Sequence, residues 1–162
     1  MIFASGENSE IVERSTDYGI SFERLADCPI RLGKTDLTIV DNDTVFLGPG
    51  TLWESGNDRG KNGEFYKFTL SSNTWTRMAD FPVGYYEPTC TMWERAPDYE
   101  KEIYCFGAGS QELYIYNVAR DEWRGSGSVA TDRGVRGGAS IFTYEGELYE
   151  MGGYQSQKKL YR

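Results

Sequence analysis

The sequence predicts an all-β protein from three observations. Aromatic residues form 15% of the 162 residues, and the chain contains 19 glycines. Tyr, Phe and Trp favour half-buried pleated surfaces, and glycine supplies the positive φ of tight turns. Alternating apolar and polar runs also recur along the chain, separated by short polar turns. This combination is typical of many short strands joined by sharp corners.

Length and charge narrow the class of protein. The length suits one domain with a real core. The 25 acidic residues outnumber 17 basic ones, and the formal net charge of -8 argues against nucleic acid as a partner. No run approaches the roughly 18 apolar residues needed to cross a bilayer, and the start MIFASGENSE lacks signal-peptide features. We expect a soluble chain without membrane insertion, in an extracellular or cytoplasmic compartment.

A strand, a polar turn and an aromatic residue recur as a unit. Phe22 follows the turn in STDYGISFERL, Trp75 the turn in SSNTWTRM, and Trp123 the turn in VARDEWRG. Seven residues before each Trp lies another aromatic in an alternating run, Phe68 or Tyr116. The spacing of roughly 50 residues is typical of repeat architectures. We interpret the unit as a repeated hairpin.

A second recurring feature is an apolar run that ends in glycines. Before each of these runs lies another alternating run, at 36–40, 89–93 and 139–144, separated from it by a polar turn such as DNDT or EGE. Each unit therefore holds four short strands, and its glycines end the second strand where neighbouring backbones crowd. The glycines are Gly48 and Gly50, Gly107 and Gly109, and Gly152 and Gly153.

These features resemble the kelch repeat, whose signature is a glycine pair after an apolar strand, then a Tyr, then a Trp about seven residues on. The match is fullest in IYCFGAG followed by ELYIYNVARDEW, although two of the three glycine pairs are split by a residue. Twisted four-stranded units bury their faces by stacking on each other and close radially. The resemblance implies an all-β, kelch-type β-propeller of about three to three and a half four-stranded blades.

The resemblance covers nearly the whole chain. Residues 1–28 correspond to the tail of a blade, 29–82 and 83–127 to one kelch repeat each, and 128–162 to an incomplete repeat. Kelch propellers usually have more blades than this, so we expect an incomplete ring or a fragment. The ring is then completed by a further part of a longer chain or by self-association, since an unclosed stack exposes strand edges.

The three cysteines are too few for a disulfide framework or a CxxC metal site. Cys90 and Cys105 lie in runs that can pair as neighbouring strands, so a bridge between them is geometrically possible. The sequence favours buried free thiols, with a disulfide as the alternative. Asn42 begins an N-x-T glycosylation sequon, whose occupancy the sequence leaves open.

The chain contains no histidine, which excludes many catalytic arrangements within it. Ser-His-Asp and Cys-His nucleophiles lack their base, zinc hydrolase motifs lack ligands, and the imidazoles of galactose oxidase, a copper oxidase built on a kelch propeller, are absent. No phosphate-binding loop or GxGxxG motif before a helix is present. We therefore expect a protein without cofactor, metal or catalytic activity.

A glycosidase-like carboxylate pair is the remaining catalytic arrangement. Its candidates all fall in turns or loop ends, where side-chain bonds to nearby amides account for them. The Asp41-Asn42-Asp43 run lacks the later residues of a calcium loop and sits where a hairpin turn is needed. The candidate carboxylates are Asp36, Asp43, Asp98, Asp121 and Glu122.

The run STDYGISF resembles the Asp-box motif of sialidases. Its Ser15 and Asp17 can bond turn amides, Gly19 can take a positive φ, and Phe22 can enter the core, so the motif supports the propeller more than sugar chemistry. A sialidase would also need a Tyr-Glu nucleophile and converging arginines, and the spacing of the available arginines shows no convergence. These are Arg31, Arg59, Arg133 and Arg136. A glycan-binding or sialidase-like propeller is the alternative function.

Loops on a stiff scaffold are where recognition usually resides. The loops between second and third strands, at 49–63, 108–111 and 154–157, should share a face with the connections at 77–88 and 124–138. That face carries the aromatic and charged mixture enriched at binding hot spots. The resemblance implies a non-catalytic scaffold that binds a protein partner there. The candidate residues are Trp53, Asp58, Arg59, Tyr85, Tyr86, Arg133, Arg136 and Tyr154.

Overall fold

The computed structural model describes most of the chain. It covers residues 2–5, 9–33, 35–54, 57–83, 88–93, 100–106, 112–128, 139–152 and 160–161. For residues 2–5, 32, 53–54, 57–59, 61, 128 and 160–161 it describes the backbone alone. Within these ranges the chain forms strands, turns and bends, with no helix of the length and apolarity needed to span a bilayer. The predicted all-β class is confirmed for the described residues.

The described residues form 17 strands. In chain order these are β1 (Ile2–Ser5), β2 (Val12–Ser15), β3 (Glu23–Arg24), β4 (Leu32–Gly33), β5 (Leu37–Ile39), β6 (Thr44–Leu47), β7 (Gly50–Glu54), β8 (Asn57–Asn62), β9 (Tyr66–Thr69), β10 (Thr74–Arg77), β11 (Thr89–Trp93), β12 (Glu102–Phe106), β13 (Glu112–Asn117), β14 (Glu122–Ser128), β15 (Ala139–Tyr144), β16 (Glu147–Gly152) and β17 (Leu160–Tyr161).

Four antiparallel sheets follow one another along the chain. The first sheet is β1-β2-β3, the second β5-β6-β9-β10, the third β11-β12-β13-β14 and the fourth β15-β16-β17. Between β6 and β9 of the second sheet the chain forms β7 and β8, which pair with β4 in a separate insertion sheet of order β4-β7-β8. The second sheet lies within the predicted unit 29–82, and the third ends at Ser128, one residue beyond the predicted unit 83–127.

Local turn chemistry explains the hairpins. Glu145 and Gly146 join β15 to β16 with φ of 51° and 75°, the two positive values that match the twist of the flanking strands. Asn73 and Asp121, with φ of 51° and 54°, sit in the turns before β10 and β14. Asn and Asp tolerate this conformation better than other residues with a side chain, so the polar turns predicted from the sequence form at these places.

The core lies in layers between successive sheets. Between the first and second sheets it contains Val12, Cys28 and Leu47, with Trp75 packed against them. Between the second and third it includes Phe46, Phe65, Ile103, Cys105 and Tyr116. Between the third and fourth it includes Tyr104, Phe106, Leu113, Ile115 and Ile141. The innermost strands also meet, because β11 contacts both β5 and β15. Each sheet therefore buries apolar area mainly against its neighbours.

Two glycines behave differently from each other. At Gly48, φ is +105° and a Cβ would clash with the carbonyl oxygen of Glu64, so the predicted crowding exists there. At Gly152, φ is +85° and a Cβ would meet no described residue within 4 Å, so the predicted crowding is not found there in the described part of the chain. Gly50 is also crowded, with a Cβ 2.8 Å from that of Thr35. Gly107, Gly109 and Gly153 lie outside the described residues.

Cys90 and Cys105 form a disulfide, contrary to the free thiols that the sequence favours. They are directly opposed partners on β11 and β12, with Cα atoms 4.2 Å apart. The amide of Cys90 points away from β12 and donates to the carboxylate of Asp36, the residue before β5, at 2.9 Å. Opposed residues that exchange no backbone hydrogen bonds approach most closely, which brings the sulfurs together. Cys28 is a buried free thiol, and burial raises its pKa to about 11.

Phe22 does not enter the core as the sequence predicts. Its side chain is 46% exposed, whereas Phe68 and Tyr116 are 1% and 0% exposed. Phe22 lies just before β3 on the side of the first sheet that faces away from the second sheet. No other sheet of the described residues packs against that side, so the ring stays in solvent.

Candidate functional site

The insertion sheet is the most distinctive surface feature of the described residues. The segment 49–63, predicted as a loop, instead forms the hairpin β7-β8, whose strands pair from Gly50 with Asn62 to Glu54 with Asn57. The short strand β4 adds to it, pairing Leu32 with Leu52 and Gly33 with Thr51. The hairpin is therefore a folded element held from two places in the chain, and not an irregular loop.

Contacts at the base hold the hairpin to the segments that lead into the second sheet. The Thr35 hydroxyl donates to the carbonyl of Pro49 at 2.7 Å, and Thr51 is 0% exposed. At the return, the side-chain carbonyl of Asn62 accepts from the amide of Glu64 at 2.7 Å. Both legs of the hairpin are thus tied down before the chain re-enters the sheet.

The connection from the second to the third sheet packs against the same base. The amide of Phe81 donates to Gly63 at 2.7 Å, and that of Met78 donates to Phe65 at 2.9 Å. A Cβ on Gly63 would lie 2.6 Å from the carbonyl oxygen of Phe81, so the backbones are in close contact. The hairpin and this connection therefore lie at one end of the sheets, which we call the insertion end.

The structure brings together three of the eight predicted binding residues. Trp53 lies on β7, and Asp58 and Arg59 lie on β8, with Trp53 and Asp58 as register partners across the hairpin. Only their backbones are described. The other five predicted residues lie outside the described residues, namely Tyr85, Tyr86, Arg133, Arg136 and Tyr154.

A pair of equivalent contacts, the alanine clamps, joins successive sheets at the outer strands. The indole N–H of Trp75 donates to the carbonyl of Ala26 at 3.0 Å, and Asn73 Oδ1 accepts from the Ala26 amide at 2.8 Å. In the next unit, Trp123 donates to the carbonyl of Ala79 at 2.9 Å, and Asp121 Oδ1 accepts from its amide at 2.7 Å. Each clamp therefore pairs both the backbone amide and the backbone carbonyl of one alanine in the preceding connection.

The residues of the clamped connections were not singled out in the sequence, although a signal exists. The runs RLADCPI at 24–30 and RMADFPV at 77–83 share four residues at the same places. Their charged pairs are also equivalent, because Arg24 contacts Asp27 at 2.7 Å and Arg77 contacts Asp80 at 2.9 Å. Comparing connections as well as strands would have revealed this repeat.

The inner strands are also linked at the insertion end. Asp36 accepts from the hydroxyl of Thr89 at 3.2 Å as well as from the Cys90 amide. The Thr89 hydroxyl in turn accepts from the Ile141 amide at 3.3 Å. A chain of hydrogen bonds therefore links the second, third and fourth sheets at their first strands, and such networks favour a single arrangement of the sheets.

Three of the carboxylates considered for catalysis, Asp36, Asp43 and Asp121, have structural partners, and Glu122 lies on β14. Asp43 accepts from the amide and hydroxyl of Ser71 at 2.6 and 2.8 Å. Asp121 accepts from the Tyr116 hydroxyl at 2.7 Å in addition to its clamp bond. Asp41 binds Lys101 at 2.7 Å, which lowers the pKa of the Asp41 carboxyl. Asp98 lies outside the described residues.

One Tyr-Glu pair lies near the base of the hairpin. The Tyr66 hydroxyl donates to Glu64 at 2.6 Å, and Arg77 lies 3.9 Å from the same carboxylate. Burial, reinforced by the Glu64 carboxylate, raises the pKa of Tyr66 to about 12. The phenol therefore stays protonated at neutral pH.

The Asp-box-like run forms a self-contained turn. Ser15 Oγ accepts from the Gly19 amide at 2.8 Å, and Asp17 accepts from the amide and hydroxyl of Ser21 at 3.0 and 2.6 Å. Gly19 has a φ of 86°. The expected turn bonds are present, and they connect only residues of the turn itself.

Comparison with known proteins gives information about the fold alone. No family model matches the chain, and no curated protein matches it. A solved structure, that of YjhT, is similar with a TM-score of 0.59 and 23% sequence identity. The alignment covers 80% of this chain and 36% of the YjhT chain, so this chain spans about a third of that protein. The fold of the chain is thus similar to part of YjhT.

Proposed function

We propose that the chain is a run of blades of a kelch-type β-propeller and acts as a non-catalytic scaffold that binds a protein partner at the insertion end. The radial arrangement is supported by the order of the sheets, by the core layers between them and by the contacts of β11 with β5 and β15. The kelch assignment is supported by the glycine, Tyr and Trp repeat of the sequence.

The observation that carries the binding function is the insertion sheet. It is held by β4, by Thr35 and by the connection at 78–83, so the hairpin is already ordered before it binds a partner. A pre-organised surface loses less conformational entropy when it binds. Trp53 and Arg59 are of the residue types most enriched at binding hot spots, and both lie on this hairpin.

The non-catalytic part of the proposal is supported by the polar groups that have other roles. Asp36, Asp43 and Asp121 each accept two hydrogen bonds that hold turns or neighbouring sheets in place. Tyr66, which forms a pair with Glu64, has a raised pKa and makes a poor nucleophile. The glycan-processing alternative would need groups beyond these.

A site-specific crosslinking experiment tests the proposal. A photoreactive amino acid in place of Trp53 should label one defined protein from native extract in a saturable manner. The matched position is Ser72, which is exposed in the turn between β9 and β10, at the opposite end of the sheets. Labelling there should stay at background.

Substitution of the same positions measures the contribution to binding. Trp53→Ala should weaken binding of the purified partner about 30-fold, as expected for a hot spot worth about 2 kcal/mol, and Ser72→Ala should leave it unchanged. Equal labelling from both positions would reject the insertion end as the binding site. Competition by a defined oligosaccharide, or turnover of a sialoside, would favour the glycan alternative instead.

A further inference from the structure

Exposed large apolar side chains are concentrated on the first and fourth sheets, which are the two outermost sheets of the stack. Among the described residues, those of the first sheet and its turns are Ile11, Tyr18, Ile20 and Phe22, and those of the fourth sheet are Phe142, Tyr144 and Met151. The one other such residue in the described part of the chain, Ile39, lies on the second sheet. Monomers rarely leave apolar side chains in contiguous exposed patches without a partner.

The open face of the fourth sheet consists of Phe142 and Tyr144 on β15 and Tyr149 and Met151 on β16. Phe142 pairs with Tyr149 across the strands, and the two rings stack with centroids 5.5 Å apart. Tyr144 and Met151 are 60% and 55% exposed. Ile141, which precedes Phe142 in sequence, points to the other side and packs against the third sheet. The open face is therefore the side that faces away from the third sheet.

The strand register shows that this open face is equivalent to the face of the third sheet that the fourth sheet covers. Met151 pairs with Ser140 as Phe106 pairs with Thr89, and Tyr144 pairs with Glu147 as Trp93 pairs with Glu102. On the third sheet these equivalent residues are covered, since Phe106 is 5% exposed and packs in the cluster that contains Ile141 of the next sheet. The open face of the fourth sheet thus has the same layout as a face that the next sheet covers.

In the second and third sheets, one side packs against the preceding sheet. On the first sheet, the equivalent side is exposed. There Phe22 occupies the position of Trp75 and Trp123, whose indoles reach the preceding connection, yet Phe22 is 46% exposed. We propose that the open face of the fourth sheet binds the first sheet of a second copy of this chain, head to tail. The contact continues the sheet-on-sheet interface that the chain already makes between its own sheets. Such an interface is heterologous, so it forms a closed ring or an open chain of copies.

Sedimentation equilibrium of the full chain tests the proposal. The average mass should rise from that of the monomer as the concentration increases. The double variant Tyr144→Lys/Met151→Lys should weaken association at least about tenfold, because it places ammonium groups in an apolar interface. Ile39→Lys, an equally exposed apolar residue away from both ends, is the matched control and should associate as the parent does. Circular dichroism shows that each variant retains its strands.

Mixing variants tests the head-to-tail geometry. Phe22→Lys alone and the double variant alone should both be mostly monomeric. An equal mixture should form dimers, because one chain retains an intact first sheet and the other an intact open face. A parent chain that stays monomeric at every concentration would overturn the proposal, and so would a dimer that Phe22→Lys leaves intact, which would indicate a symmetric contact of two open faces.

Discussion

The middle sheets and the terminal sheets carry the same repeat positions but use them differently. In the second and third sheets, Trp75 and Trp123 each reach a connection of the preceding sheet and donate to an alanine carbonyl. In the first sheet, Phe22 occupies the same position and remains 46% exposed. The aromatic residue is present in all three units, but it packs against core residues only where a preceding sheet lies next to it.

The turns differ in the same way. Asp121 bonds Ala79 of the preceding connection, 42 residues away in the chain. Asp17, in the corresponding turn of the first sheet, has its side-chain bonds with Ser15 and Ser21 of the same turn, as far as the described residues show. Stability in the middle sheets therefore depends on contacts between units, whereas the terminal turn is stabilised locally. Three predictions test this difference.

The largest effect is expected at Trp123. Its ring lies against Phe65, Phe81 and Tyr116 with centroids 4.7 to 5.0 Å apart. Trp123→Ala should lower the free energy of unfolding by about 3 to 5 kcal/mol, because it leaves a cavity and unpairs the carbonyl of Ala79. Urea denaturation measures the change as a lower midpoint at constant slope.

Phe22→Ala is the matched control in the first sheet. Because the ring is exposed, the free energy of unfolding should change by no more than about 0.5 kcal/mol. Comparable losses for the two variants would show that the outer aromatic position stabilises each unit independently of its neighbour.

An intermediate effect is expected at the glycines. Gly48→Ala should cost about 1 to 2 kcal/mol for the positive φ and a further 1 to 3 kcal/mol because its Cβ meets the carbonyl oxygen of Glu64. Gly152→Ala, with a similar φ and open space, should cost the first amount alone. Thermal and urea unfolding of the pair measure the difference, and equal costs would argue against close backbone packing at the hairpin base.

The smallest effect is expected from the titration of Asp17. Hydrogen bonds from Ser21, and then from Ser15, lower the pKa of its carboxyl from 3.8 to about 2. Because the folded pKa lies below the unfolded one, the stabilisation is present above about pH 4 and is lost as the pH falls towards 2. Asp17→Asn should remove this pH dependence. Carboxyl NMR should place the midpoint near 2, and a midpoint at the usual value would show that the turn does not hold the carboxylate.

Only some of the strands near the candidate site could be predicted from the sequence. The alternating runs at 36–40, 89–93 and 139–144 contain β5, β11 and β15, because alternation is imposed by each strand locally. The hairpin β7-β8 was predicted as a loop, since its run of Asn, Asp, Arg, Gly and Lys has low strand propensity. It forms strands because β4 and the base contacts supply pairing from elsewhere.

The sequence by itself determined the all-β class, the positions of the hairpins and the recurrence of glycine, Tyr and Trp. These depend on side-chain alternation and turn conformation within a few residues. The tertiary structure decided which aromatics are buried, that Cys90 and Cys105 are bridged, and that β4 joins the insertion sheet. Those outcomes depend on residues far apart in the chain meeting in space, as Asp36 meets Cys90 and Ala26 meets Trp75, and no local pattern encodes which partner a residue will find.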